Sequence, residues 1–128
     1  MTRGLLDTNI FISLELGRSV KSQMIPDELA ISVITLAELE FGVYSAIDQQ
    51  TRAKRMATFR KVMKFETIEI TSDIASVWAA VRASGQTKKS SLSENDIWIA
   101  ATAINQGVPL VTQDRAFTSI SDLETILV

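Results

Sequence analysis

Four carboxylates carry the chemistry this chain offers, and each stands in a setting an ionised side chain does not choose freely. Asp7 follows Leu5 and Leu6 in GLLDTNIFI, and Asp114 follows the apolar run of PLVTQD. Asp96 opens the stretch IWIAATAI, and Glu38 lies in ITLAELEFG among Ile34, Leu36, Ala37, Leu39 and Phe41. Histidine and cysteine are both absent. Their absence excludes a Ser-His-Asp triad, a Cys-His pair and an ordinary zinc site. Hydrolytic chemistry must then rest on carboxylates, Lys, Tyr or Ser, or on a cation held by oxygen ligands. Oxygen ligation favours Mg²⁺ or Mn²⁺.

Taken singly, each acid has a plainer explanation. Asp7 can cap a helix, Asp96 can sit on the positive end of a helix dipole, and Asp114 can open a turn. Glu38 can close a capping box with Thr35 or face solvent. Spacing alone does not rank Glu38 above Glu40. The four together are different, because clustered carboxylates repel one another, raise their own pKa values and destabilise a fold without a cation.

The elements that must position these acids follow from the apolar pattern. The chain of 128 residues is 46% hydrophobic and 22% charged, which suits one domain over residues 1–128. Short apolar runs alternate with helical patterns, which predicts an α/β fold with a parallel sheet and crossover helices. Strands are expected near Leu5–Leu6, Leu29–Ile31, Thr67–Ile70, Leu110–Val111 and Thr125–Leu127. Helices are expected over 8–16, about 33–46, about 49–64, about 73–84 and about 95–106. Gly17 and Gly107 sit where helix ends need a left-handed residue. Ser72 is the expected N-cap of DIASVWAAVRA. GQTKKSSLS, residues 85–93, reads as a mobile loop. The last helix is apolar nearly all round, so it should be buried. Ala100, Ala101 and Ala103 let it approach its neighbours closely.

Net charge is −2, which argues against a generic nucleic-acid binder, yet the charge is uneven. Arg52, Lys54, Arg55, Arg60, Lys61 and Lys64 cluster with no acid between them. From residue 90 onward Arg115 is the single base against Glu94, Asp96, Asp114, Asp122 and Glu124. A basic face beside an acidic cluster suits a metal-dependent enzyme acting on a polyanion. No apolar run approaches the roughly 20 residues of a membrane span. The N-terminus lacks the pattern of a signal peptide, so a cytoplasmic protein is expected.

With these residues in place, the sequence resembles the PIN-domain ribonucleases, specifically the toxins of VapBC-type toxin–antitoxin pairs. The matching pieces are LLDTNIFI, SVITLAELEFGV and NDIWIAATAINQGVPLVTQDRAF, in family order and spacing across essentially the whole chain. The resemblance implies a three-layer domain with a parallel, roughly five-stranded sheet and an acidic pocket for Mg²⁺ or Mn²⁺. It implies Asp7, Glu38, Asp96 and Asp114 as catalytic and metal-binding acids, and it is what selects Glu38 over Glu40. Asn9 and Thr112 match polar positions that orient the acids. Many relatives carry the last acid directly before the phenylalanine. Here Ala116 stands there, and Asp114 precedes Phe117 by three residues. The implied reaction is metal-assisted hydrolysis of RNA, leaving 5′-phosphate and 3′-hydroxyl ends. Lys88, Lys89, Arg52 and Arg55 are candidate substrate-binding residues from the charge distribution. The resemblance also implies a homodimer, neutralised by a small antitoxin through which alone it meets DNA. The stretches 12–24 and 52–65 are candidate partner surfaces.

Competing classes fit less well. A haloacid-dehalogenase-like phosphatase needs a second Asp two positions after the first, where this chain has Asn9. A receiver module wants a doubled acid and a late Lys, and LLDTN and LVTQDR supply neither. A non-catalytic PIN domain acting as a binding module is the remaining alternative.

Overall fold

Leu5 and Leu6 are adjacent, and β1 (Arg3–Leu6) turns them to opposite faces of the sheet. Leu5 packs with Ile97, Ile99, Ala100, Leu110 and Phe117, whereas Leu6 packs with Ile10, Phe11, Ile31 and Val111. Both faces are therefore buried, the condition under which a parallel sheet is stable. The structure, a computed structural model, describes residues 2–128.

Five strands form this sheet in the order β3-β2-β1-β4-β5. They are β1, β2 (Glu28–Ser32), β3 (Glu66–Ile68), β4 (Leu110–Thr112) and β5 (Thr125–Leu127), and every pairing is parallel. Helices α1 (Thr8–Glu15), α2 (Val33–Tyr44) and α3 (Gln49–Val62) supply buried residues to the core on one face. Helices α4 (Ser72–Ala83) and α5 (Glu94–Gln106) cover the other. This is the expected three-layer α/β arrangement.

Tertiary contacts move several boundaries. β3 begins one residue early and ends at Ile68, because its partner β2 ends where Ser32 caps α2. Thr71, not Ser72, caps α4, accepting from the Ile74 N–H and leaving Ser72 as the first helical residue. The capping box expected of Thr35 and Glu38 is absent. Ser32 is the N-cap, and Thr35 lies wholly buried inside α2. Segment 85–93 contains no helix or strand, but consecutive turns lace it, and Thr87 is buried. Gly17 and Gly107 do take positive φ, 71° and 66°. Gly4 is needed for another reason, since a Cβ there would meet the Pro26 ring at 2.9 Å.

α5 is buried as its composition demands, with Ile97, Ile99, Ala100, Ala101, Thr102 and Ala103 all inaccessible. The small residues let the backbone lie close to the sheet, so Ala100→Leu should overpack it by about 1–3 kcal/mol. Trp98 of α5 stacks on Trp78 of α4, with ring centroids 4.9 Å apart. Among the described residues no helix is long and apolar enough to cross a membrane.

Candidate functional site

Strand order sets the place of the site. The chain leaves β1 toward β2 on one side, while β4 lies on the other, so the order in which strands are added reverses between β1 and β4. Ligands of open α/β sheets bind outside the carboxyl ends of strands at such a point. Asp7 follows β1 there, its N–H donating to the Val111 carbonyl at 2.9 Å. Thr112, the last residue of β4, donates its hydroxyl to Asp7 Oδ2 at 2.7 Å. Asp7 also caps α1, its Oδ1 accepting from the Thr8 N–H at 2.8 Å. The cap that its sequence setting suggested is therefore formed.

Asp7 is only 3% exposed. Burial pushes its carboxyl from 3.8 up to about 7, and the nearby charges of Asp96 and Glu38 push the same way, while the hydrogen bonds from Thr112 and the Thr8 N–H oppose them. Asp7, Glu38 and Asp96 thus share one electrostatic neighbourhood.

Each of the other acids is held by its own local partner. Glu38 Oε1 accepts from Thr8 Oγ1 at 2.7 Å, and Thr8 Oγ1 lies 2.9 Å from Thr35 Oγ1. Glu40 is exposed, so the fold separates the two glutamates that spacing could not rank. Asp96 forms a capping box with Ser93, its Oδ2 accepting from the Ser93 N–H at 2.9 Å. Asp114 accepts from the Ala116 N–H and donates its own N–H to Thr112 Oγ1 at 3.0 Å. Thr112 is therefore the link between Asp114 and Asp7. Asn9 Nδ2 donates to the same hydroxyl at 3.2 Å. Glu94, whose role the sequence left open, pairs with Arg82 at 3.2 Å.

The donor set consists of oxygen alone, the set a hard divalent cation takes. A cation beside Asp7 would relieve the burial and like-charge repulsion that hold its proton on. The acids as placed do not close around one point, and among the described residues no three of them form a ready cage.

The basic candidates divide. Arg55 Nη1 donates to the Gly42 carbonyl and Arg52 Nη2 to the Ala46 carbonyl, each at 2.7 Å. Both guanidinium groups thus anchor the end of α2 and the turn after it. Lys88 and Lys89 are exposed in the turns before α5. Beside Glu38 lies a hollow of about 520 Å³ lined by Thr8, Ile12, Ile34, Ala37, Phe41 and Asn95. A second hollow shares Ile12, Glu38 and Phe41 and reaches Leu16 and Arg55. Phe41, which lines both hollows, is 70% exposed. Stretch 12–24 runs from the last turn of α1, which ends at Glu15, through a short 3₁₀ turn at Ser22–Met24.

Sequence reasoning missed Thr8, Thr35 and Gln113. Gln113 accepts from Ser13 Oγ and donates to the Ser19 and Val128 carbonyls, tying β4 to α1 and the C-terminus. The available signal was adjacency to the acids: Thr8 follows Asp7, Gln113 precedes Asp114, and Thr35 stands three residues before Glu38.

The PIN domain family model matches residues 4–123. The chain is 38% identical to a Mycobacterium tuberculosis protein named ribonuclease VapC5, over 96% of this chain and 91% of that one. It is 33% identical to ribonuclease VapC4 of the same organism, over 98% and 97% of the two chains. A solved structure of VapBC-5 from Mycobacterium tuberculosis, a member of the VapBC family of toxin–antitoxin systems, superimposes with a TM-score of 0.89. That match has 36% identity and covers 100% of both chains.

Proposed function

Because the chain belongs to the PIN-domain family, we infer that it is a VapC-type ribonuclease toxin that cleaves RNA with Mg²⁺ or Mn²⁺ in its acidic pocket. The observation that carries this reading is Asp7, a buried carboxylate at the sheet's reversal point whose neighbours are two more acids. Asp7 and Asp96 are the residues to hold the cation, since each carboxylate keeps lone pairs beyond those used in capping. When bound, the cation lowers the pKa of a water and polarises the phosphoryl group. Glu38, held by Thr8, orients the attacking water, and Asp114 completes the acidic rim beside Thr112. In-line displacement leaves 5′-phosphate and 3′-hydroxyl ends.

Lys88 and Lys89 hold the RNA backbone against the acidic pocket. Arg52 and Arg55 assist with the N–H groups their carbonyl contacts leave over. The face of Ile12, Leu16 and Phe41 beside Glu38 receives the antitoxin. VapC5 and VapC4 are named as ribonucleases, and the matched structure is that of a toxin–antitoxin system. The toxin acts as a homodimer in the cytoplasm and meets DNA only through its antitoxin.

The test is incubation of purified protein with total cellular RNA, with and without Mg²⁺ or Mn²⁺, beside Asp96→Asn. Cleavage by the wild type that needs the metal and is lost in Asp96→Asn is the expected result. Equal cleavage by both proteins sinks the role of Asp96. The alternative reading is a non-catalytic binding module. Absence of cleavage with either metal would select it.

A further inference from the structure

Glu38 is half-buried on α2, and a carboxylate there needs something to fix which way it points. Thr8 provides it, and the protons can be counted. A threonine hydroxyl has one hydrogen to donate. Thr8 Oγ1 gives its hydrogen to Glu38 Oε1 at 2.7 Å. In the 2.9 Å contact between Thr8 Oγ1 and Thr35 Oγ1, the hydrogen must then come from Thr35. The result is a directed chain in which Thr35 donates to Thr8 and Thr8 donates to Glu38. Thr35 is 0% exposed, so water does not take the place of its hydroxyl.

We propose that Thr35 is a positioning residue for the reaction, orienting the Glu38 carboxylate through Thr8. This rests on the ribonuclease reading above. It goes beyond it by giving an essential role to a hydroxyl one helical turn away from Glu38. The chain also joins two elements: Thr8 begins α1 immediately after Asp7, and Thr35 and Glu38 share α2. The placement of Glu38 relative to Asp7 is thereby tied to the two threonine hydroxyls. Misplacement of a reacting group by a fraction of an ångström is enough to slow a reaction severalfold or more.

Thr35→Val keeps the shape and removes the hydroxyl, whereas Thr35→Ser keeps the hydroxyl and removes a methyl. In metal-dependent RNA cleavage, Thr35→Val should lower kcat about tenfold with KM within about twofold, and Thr35→Ser should restore kcat to within about threefold of wild type. In the Glu38→Gln background, adding Thr35→Val should cost little more, since the group it positions is already altered. Wild-type kcat in Thr35→Val, or an unchanged tenfold loss on top of Glu38→Gln, overturns the proposal. Wild type, Thr35→Val, Glu38→Gln and the double variant are also unfolded in denaturant without metal. There, non-additivity of about threefold or more in the unfolding constant supports the chain, and additivity overturns it. An inactive wild type with that non-additivity retained overturns the ribonuclease reading and leaves the Thr35–Thr8–Glu38 chain standing.

Discussion

Asp7 and Asp48 perform the same local task in very different surroundings. Each takes extended backbone and accepts from a backbone N–H to cap the helix that follows it, α1 or α3. Asp48 is in solvent, and the N–H and hydroxyl of Thr51 hold its carboxyl below the usual value. Asp7 is buried, and that burial, with the nearby charges of Asp96 and Glu38, pushes its carboxyl up to about 7. In sequence each is an aspartate standing directly before a helix. The difference comes from the sheet, which places one cap at its reversal point and leaves the other on the surface. A carboxylate that loses its preference for the charged form inside a cluster of acids is poised for a cation. A carboxylate that gains it in water is only a cap.

Substitution at the two positions should separate these roles most widely. Asp7→Asn should reduce RNA cleavage by at least about 100-fold, measured on total RNA with saturating Mg²⁺. Asp48→Asn should leave cleavage unchanged. Comparable losses at both positions would remove the distinction.

Stability against pH gives the next contrast, with opposite signs. Between 3.8 and about 7 the folded chain keeps a proton on Asp7 that the unfolded chain has released. Stability in metal-free buffer should therefore fall as pH rises through that window, by roughly 3–5 kcal/mol in total. Asp48 behaves oppositely, its contribution being present above 3.8 and lost as pH falls further. Asp7→Asn should flatten the fall between pH 4 and 7 and raise the unfolding midpoint at pH 8, as followed by denaturant titration. Mg²⁺ should stabilise the wild type at pH 8 and leave Asp7→Asn unaffected.

Smaller effects should come from the partners of Asp7. Thr112→Val removes the hydroxyl shared by Asp7, Asn9 and the Asp114 N–H, and should cost about 1–3 kcal/mol in denaturant unfolding with a drop in cleavage. Replacing Lys88 and Lys89 by Ala should touch neither the fold nor the acids. It should weaken RNA binding and flatten its salt dependence, read from affinities at two salt concentrations.

The α/β class, the five strands and the five long helices were legible because their apolar periods are strong and both faces of the sheet need covering. α5 in particular announces its burial through Ile97, Ile99, Ala100 and Ala103. Its capping by Ser93 and Asp96 was less visible, because the same aspartate also reads as a ligand. The spacing of Thr35 to Glu38 is right for a capping box, but Thr35 lies inside α2. Ser32, three residues earlier and bonded to the Ile34 N–H, holds that place instead. Arg52 and Arg55 read from sequence as part of a run of positive charge, and only the fold brings the carbonyls of Ala46 and Gly42 within their reach.

Residue type and order alone were enough to decide that any metal chemistry here is carboxylate chemistry, because His and Cys are missing and no contact can supply them. They also decided which segments become strands and helices, since periodicity is a property of the chain. The tertiary structure alone decided which aspartate loses its solvent, which glutamate meets a threonine, and that Thr112 bridges Asp7 to Asp114. Those outcomes depend on residues up to 105 positions apart along the chain, and on a sheet order that no local pattern encodes.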